Sequence, residues 1–125
     1  MLLHHLCGKN VRENYENLDK CFVEIKKTLK KGGEIIIVES CVPFWFNIFE
    51  KVVYKIAYQI ILKFFNHPPV FQFTINQIKN SLIKNGFKLE KYNIIKQGKY
   101  ILQFGYKFPT FLTPVKTVIF RAKLN

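Results

Sequence analysis

The spacing of apolar side chains divides the chain into segments. Leu18, Phe22, Ile25 and Leu29 recur every three to four positions, which predicts an amphipathic helix over about Asn14–Lys31. Lys30 and Lys31 suit a helix C-terminus, and Gly32-Gly33 supplies the stop. Glu34–Glu39 follows with Ile35-Ile36-Ile37-Val38, four β-branched residues in a row. Such a run is typical of a strand covered on both faces, as in a parallel sheet. Pro43 breaks the chain, and an apolar helix over about Phe44–Phe65 runs to the stop at His67-Pro68-Pro69. Thr74 with Gln77 is a capping-box signature for a further helix ending at Asn85-Gly86. Phe87–Ile95 reads as a strand, Gln97-Gly98-Lys99 as a turn and Thr117–Lys123 as a last strand. At the N-terminus, Leu2–Leu6 reads as the end of a strand and its turn. Helices alternating with apolar strands predict an α/β layered fold.

Within the Phe44–Phe65 helix, Asn47, Glu50, Lys51, Lys55, Gln59 and Lys63 share one narrow stripe, continued by Asn66 beyond it. The remaining positions are nearly all large and apolar, from Trp45 to Phe65. This face is wider than one contact layer needs. Three readings stay open: a core or subunit interface, a lid over an apolar acceptor, and an interfacial helix with lysines on its wet side. Glu50, Lys51, Lys55 and Lys63 interrupt Trp45–Phe65 as a membrane span.

At 125 residues and 49% hydrophobic, the chain is one domain or less, and intrinsic disorder is excluded. The net charge of +12 suggests an anionic partner: nucleic acid, a membrane surface or a phosphorylated ligand. Only Arg12 and Arg121 are arginines. Lys, Asn, Ile, Phe and Tyr are what A/T-rich codons supply, so the bland reading is a solvated lysine surface. Readers of bases or phosphates favour Arg, which weighs against dedicated nucleic-acid binding. Tyr100, Phe104, Tyr106, Phe108 and Phe111, interleaved with Lys99 and Lys107, fit core packing best, ahead of contact with a small-molecule substrate and of single-strand stacking. Cys7, Cys21 and Cys41 show no metal-ligand spacing and read as reduced thiols of a cytoplasmic protein, with membrane association as the other location. His4-His5 directly after Met1-Leu2-Leu3 leaves no room for a signal-peptide core.

Taken in order, Leu2-Leu3-His4-His5-Leu6, the amphipathic helix, and Leu29-Lys30-Lys31-Gly32-Gly33 before Glu34–Glu39 resemble class I S-adenosylmethionine-dependent methyltransferases of the type 11 group. That group shows an apolar-His-Leu turn after its fourth strand and Leu-Lys-Pro-Gly-Gly before its fifth, where this chain has Lys31 for Pro. Asn85-Gly86-Phe87 is similar to the family's passage into its sixth strand, and Gln103–Pro114 to the C-terminal end of some members. The resemblance implies the C-terminal half of a Rossmann-like sheet of four strands, mostly parallel, with the last strand antiparallel to its neighbours. Residues 1–125 would form this partial domain, with a lid-like helix at about 44–66. The implied activity is methyl transfer from S-adenosylmethionine to a small, apolar acceptor. The family's Gly-x-Gly-x-Gly cofactor loop and the acidic residue that grips ribose have no counterpart in this sequence. The chain alone is therefore expected to be inactive and to need its missing N-terminal half or to self-associate. Two other classes stay open: a non-catalytic interaction or dimerisation module, and a basic membrane-surface or nucleic-acid binder.

By the same resemblance, His4 and His5 end the fourth strand, at the edge where open α/β sheets bind ligands. They are the cofactor-wall candidates, and His5 is a candidate general base. Glu39 ends the Ile-rich strand at the same edge and is a candidate for orienting substrate or accepting a proton. The plain alternatives are a turn histidine and a Glu that caps an amide.

Overall fold

A computed structural model describes residues 3–65, 69–95 and 115–125, with the side chains of His4 and Phe65 outside the description. The expected Gln97–Lys99 turn and the aromatic run Tyr100–Pro114 lie outside the described residues. A short 3-10 turn, Leu3–His5, opens the fold where the end of a strand was expected. Helix α1 spans Val11–Thr28, three residues ahead of its predicted bounds. The shift has a local cause. Asn10 is the N-cap and its Oδ1 accepts the Glu13 N–H at 3.0 Å. At the other end Leu29 is already extended, so Lys30 and Lys31 lie in the following turn.

That turn is closed by the Gly33 N–H donating to the Lys30 carbonyl at 2.8 Å. Gly32, not Gly33, carries the left-handed conformation, at φ 78°. Gly33 is constrained differently: a Cβ there would lie 2.8 Å from the Lys30 carbonyl oxygen. The chain then enters β1, Glu34–Cys41. Helix α2 spans Phe44–Phe65 and α3 spans Ile75–Lys84. Both halves of the Thr74/Gln77 capping box are formed at the start of α3. Gly86, at φ 86°, turns the chain into β2, Phe87–Ile94, and β3 spans Lys116–Leu124.

The sheet corrects one expectation and satisfies another. Its three described strands are ordered β1-β3-β2, and both pairings are antiparallel. The sheet is therefore not mostly parallel, because β3 inserts between two strands that would otherwise be parallel neighbours. As expected, the last strand runs against both of its neighbours. β1 pairs from Glu34↔Lys123 to Cys41↔Lys116. β2 pairs from Phe87↔Leu124 to Ile94↔Val118, with a register shift at Leu89/Lys91.

One face of the sheet holds the core. Ile37, Phe87, Val118, Phe120 and Ala122 meet Leu18 and Phe22 of α1 and Ile78 and Leu82 of α3, all buried. Truncating one such aromatic, Phe22→Ala, would cost about 3–5 kcal/mol. Asp19 of α1 ties the two helices by accepting from the Ser81 hydroxyl and the Lys84 ammonium. On the opposite face Ile36 is 67% exposed, beside exposed Val38. The Ile-Ile-Ile-Val run is thus covered on one face only in the described structure. An unbroken apolar run has no alternation, so it cannot say which face is dressed. The outer edge of β1 makes a single bridge, Cys41 to Phe73.

Helix α2 lies against the 69–74 segment with the start of its polar stripe turned inward, while Lys55, Gln59 and Lys63 stay exposed. Asn47 is 0% exposed and donates to the Gln72 carbonyl at 2.8 Å. Gln77 donates both to Asn47 Oδ1 and to the Tyr15 hydroxyl, each at 2.8 Å, while its own Oε1 accepts the Thr74 N–H. Tyr54 is also buried against Phe71, with ring centroids 5.4 Å apart. Trp45, Ile48, Phe49, Val52, Ile56 and Ile60 are exposed instead.

Candidate functional site

The carboxyl end of β1 and the N-terminal turn meet through Glu39. Glu39, the sixth residue of β1, points to the core side and is 1% exposed. Its Oε2 accepts the Leu3 N–H, and its Oε1 accepts the Ser40 N–H at 2.9 Å. A carboxylate satisfied by backbone amides is a strong tether, since charge-assisted bonds are shorter and stronger than neutral ones. Glu39 thereby holds the Leu3–His5 turn on the end of β1. The Leu6 N–H, donating to the Leu3 carbonyl at 3.0 Å, closes that turn.

His5 is exposed on the outer side of the turn. It lines a shallow, open groove against α1 with Cys7, Cys21 and Ile25. Glu39 is not part of that groove; it lies beneath the turn. The structure brings the two candidates to one loop but gives them opposite surroundings. Cys7 and Cys21 have thiols pushed above their ordinary range, chiefly by burial. Thiols in that state are poor nucleophiles. All three cysteines are free. No group of three or more His, Cys, Asp or Glu able to hold a metal occurs among the described residues.

A second polar cluster, not singled out from the sequence, lies between the Cys7–Asn10 loop, α2 and the 69–72 segment. The Tyr54 hydroxyl donates to the Gly8 carbonyl at 3.0 Å and lies 3.4 Å from Asn14 Oδ1. Asn14, fully buried in α1, accepts the Gly8 N–H at 2.6 Å. Burial raises the Tyr54 phenol to about 12 and the Glu50 carboxyl to about 7, the latter offset in part by a hydrogen bond from the Gln72 backbone. Among the described residues, Glu50 Oε2, Asn14 Nδ2 and Gln72 Oε1 are buried and find no hydrogen-bond partner. Glu50 also helps to hold Cys7 in its thiol form. The sequence signal was misleading here: Asn47 and Glu50 sit on a polar stripe that ordinarily faces water. The usable cue was the breadth of the apolar face opposite, which no single core could cover.

These residues do not by themselves fit S-adenosylmethionine. The groove is open, the acidic residue at the strand end is committed to backbone amides, and the sequence holds no Gly-x-Gly-x-Gly. Small-molecule sites bury roughly 70–90% of their ligand, and so open a groove does not.

No protein-family model matches the sequence, and no curated protein matches it. Among solved structures the chain is similar to an S-adenosylmethionine-dependent methyltransferase from Methanosarcina mazei, with a TM-score of 0.52 and 12% identity over 88% of this chain. It also aligns with a putative methyltransferase from Bacillus halodurans C-125 at 14% identity and a TM-score of 0.48, covering 97% of this chain and 65% of that one. The chain spans about half of the Methanosarcina protein, 52% of its length. At this identity the likeness is one of fold: an α/β arrangement found in a methyltransferase.

Proposed function

We propose that this chain forms one wall of a cleft for S-adenosylmethionine-dependent methyl transfer to a small, apolar acceptor. The observation that carries the reading is the fold likeness to the Methanosarcina methyltransferase, extending over 88% of the chain. The ordered sequence resemblance supports it from a separate direction. In this reading the ligand-facing edge is the end of β1 with the turn above it. Glu39 acts as a positioning residue that fixes the turn, and His5 is the side chain that reaches the acceptor side. Methyl transfer from a sulfonium depends mainly on holding the nucleophile in line, so such a wall contributes by orientation.

The test is isothermal titration with S-adenosylmethionine. The 125-residue chain alone should give no measurable heat of binding. Adding a strand–Gly-x-Gly-x-Gly–helix half in trans should restore binding, and His5→Ala should then weaken acceptor methylation. Micromolar binding by the chain alone would overturn the one-wall reading. Absence of binding with the Gly-rich half present would overturn the methyltransferase reading.

A further inference from the structure

We propose that the outward face of α2 is a docking surface for an anionic lipid bilayer, on which the helix lies in the plane of the headgroups. This inference stands on α2 alone and does not depend on the methyltransferase reading. Its basis is the row of large apolar side chains that the helix leaves exposed. Trp45, Ile48, Phe49, Val52, Ile56 and Ile60 fall at helical spacing on one exposed stripe, and Trp45 and Val52 are 65% and 73% exposed. The stripe runs about 22 Å along the helix at the standard rise per residue. Scattered apolar residues on a surface need no explanation, but a continuous row of this size marks an interaction site.

Charge selects the occupant. Glu50 is the helix's only acid, and its carboxyl is turned inward with Oε2 buried. Lys55 and Lys63 are exposed, whereas Lys51 lies 5.4 Å from the Tyr15 ring centroid. From residue 51 to residue 89 the sequence contains no Asp or Glu but has Lys51, Lys55, Lys63, Lys79, Lys84 and Lys88. An apolar face carrying lysines and no acid matches a surface that is greasy beneath and negative above. A second copy is a poor occupant, because each copy carries +12. Trp45 stands near the start of the helix, and Trp favours the boundary between headgroups and acyl chains. No helix among the described residues is long and apolar enough to cross a membrane, so α2 lies on the bilayer.

The sequence's single tryptophan makes the experiment direct. The full chain is mixed with vesicles of equal parts phosphatidylglycerol and phosphatidylcholine, or of phosphatidylcholine alone. Trp45 emission and vesicle flotation are read together. We expect a blue shift and flotation with the anionic vesicles, affinity lower by about tenfold on neutral ones, and release by added salt. Val52→Glu should weaken anionic-vesicle binding by about tenfold or more, consistent with the cost of a charge at a buried apolar position. Lys55→Glu with Lys63→Glu should remove the preference for anionic lipid. Both sites are solvent-exposed, so these variants should keep the wild-type circular dichroism; Ile56→Ser serves if Val52→Glu does not. Three results would overturn the proposal: no blue shift with anionic vesicles, equal binding to neutral vesicles, or a lipid-free dimer that the stripe variants dissociate.

Discussion

Replacing Glu50 by Gln should stabilise the protein, and only above mildly acidic pH. The carboxyl is held at about 7 against an ordinary 4.5, with burial as the main cause. Below about pH 4.5 it is protonated in both folded and unfolded chains and contributes nothing. Between about 4.5 and 7 the unfolded chain ionises first, so stability falls as pH rises. Above about 7 the penalty is complete and constant. Taken at face value the difference corresponds to about 3 kcal/mol. The side chain is not sealed from water, and screening reduces the figure to about 1–2 kcal/mol. Gln has the same shape, keeps an acceptor for the Gln72 amide and never ionises. Urea unfolding of both proteins from about pH 4 to about pH 8.5 checks this, read by circular dichroism. The quantity of interest is the difference between the two proteins, because every other carboxylate cancels. It should be near zero at the acid end and grow to about 1–2 kcal/mol in favour of Glu50→Gln at the alkaline end. A variant no more stable than wild type at the alkaline end, or a pH-independent difference, would refute the buried-carboxyl argument.

Two further substitutions test the framework around the site. Gly33→Val puts a Cβ against the Lys30 carbonyl oxygen at 2.8 Å and should cost about 1–3 kcal/mol, seen as a melting temperature lower by several degrees; an unchanged value would remove the turn-into-strand assignment. Gln77→Leu strands Asn47, the Tyr15 hydroxyl and the Thr74 N–H together and should cost about 2–3 kcal/mol in urea unfolding. Gln77→Glu keeps the acceptor for Thr74 but loses both donors, so it should recover only part of that loss; full recovery would mean the donors contribute nothing.

What could be read from the sequence was whatever is decided locally. The Thr74/Gln77 box needs only residues three apart, and α3 begins where it says. The α2 range, Phe44–Phe65, matches the one read from Pro43 and from the prolines that follow in the sequence. Glu39 was expected to end its strand, whereas β1 continues two residues further, to Cys41. The partner of Glu39, the Leu3 amide 36 residues away, was not legible, because a tether of that span leaves no periodic trace. The orientation of α2 was left open by the sequence. Hydropathy says that a helix has two faces, but the side that meets the body is set by Gln72 and Gln77, which offer hydrogen bonds to Asn47. Strand direction failed for a related reason: an apolar run is equally content beside a parallel or an antiparallel neighbour, and the β1-β3-β2 order decides between them.

That order also governs when the protein can fold. Among the described strands the central one, β3, is made after the other two, and both β1 and β2 pair with it. Residues 42–115 separate β1 from β3. At ordinary translation speeds the Ile-rich strand therefore waits roughly 4–15 s for its β3 partner. Such sequence-distant pairing slows folding and prolongs exposure of an aggregation-prone segment. Losing β3, Lys116–Leu124, would remove the middle of the described sheet rather than its rim.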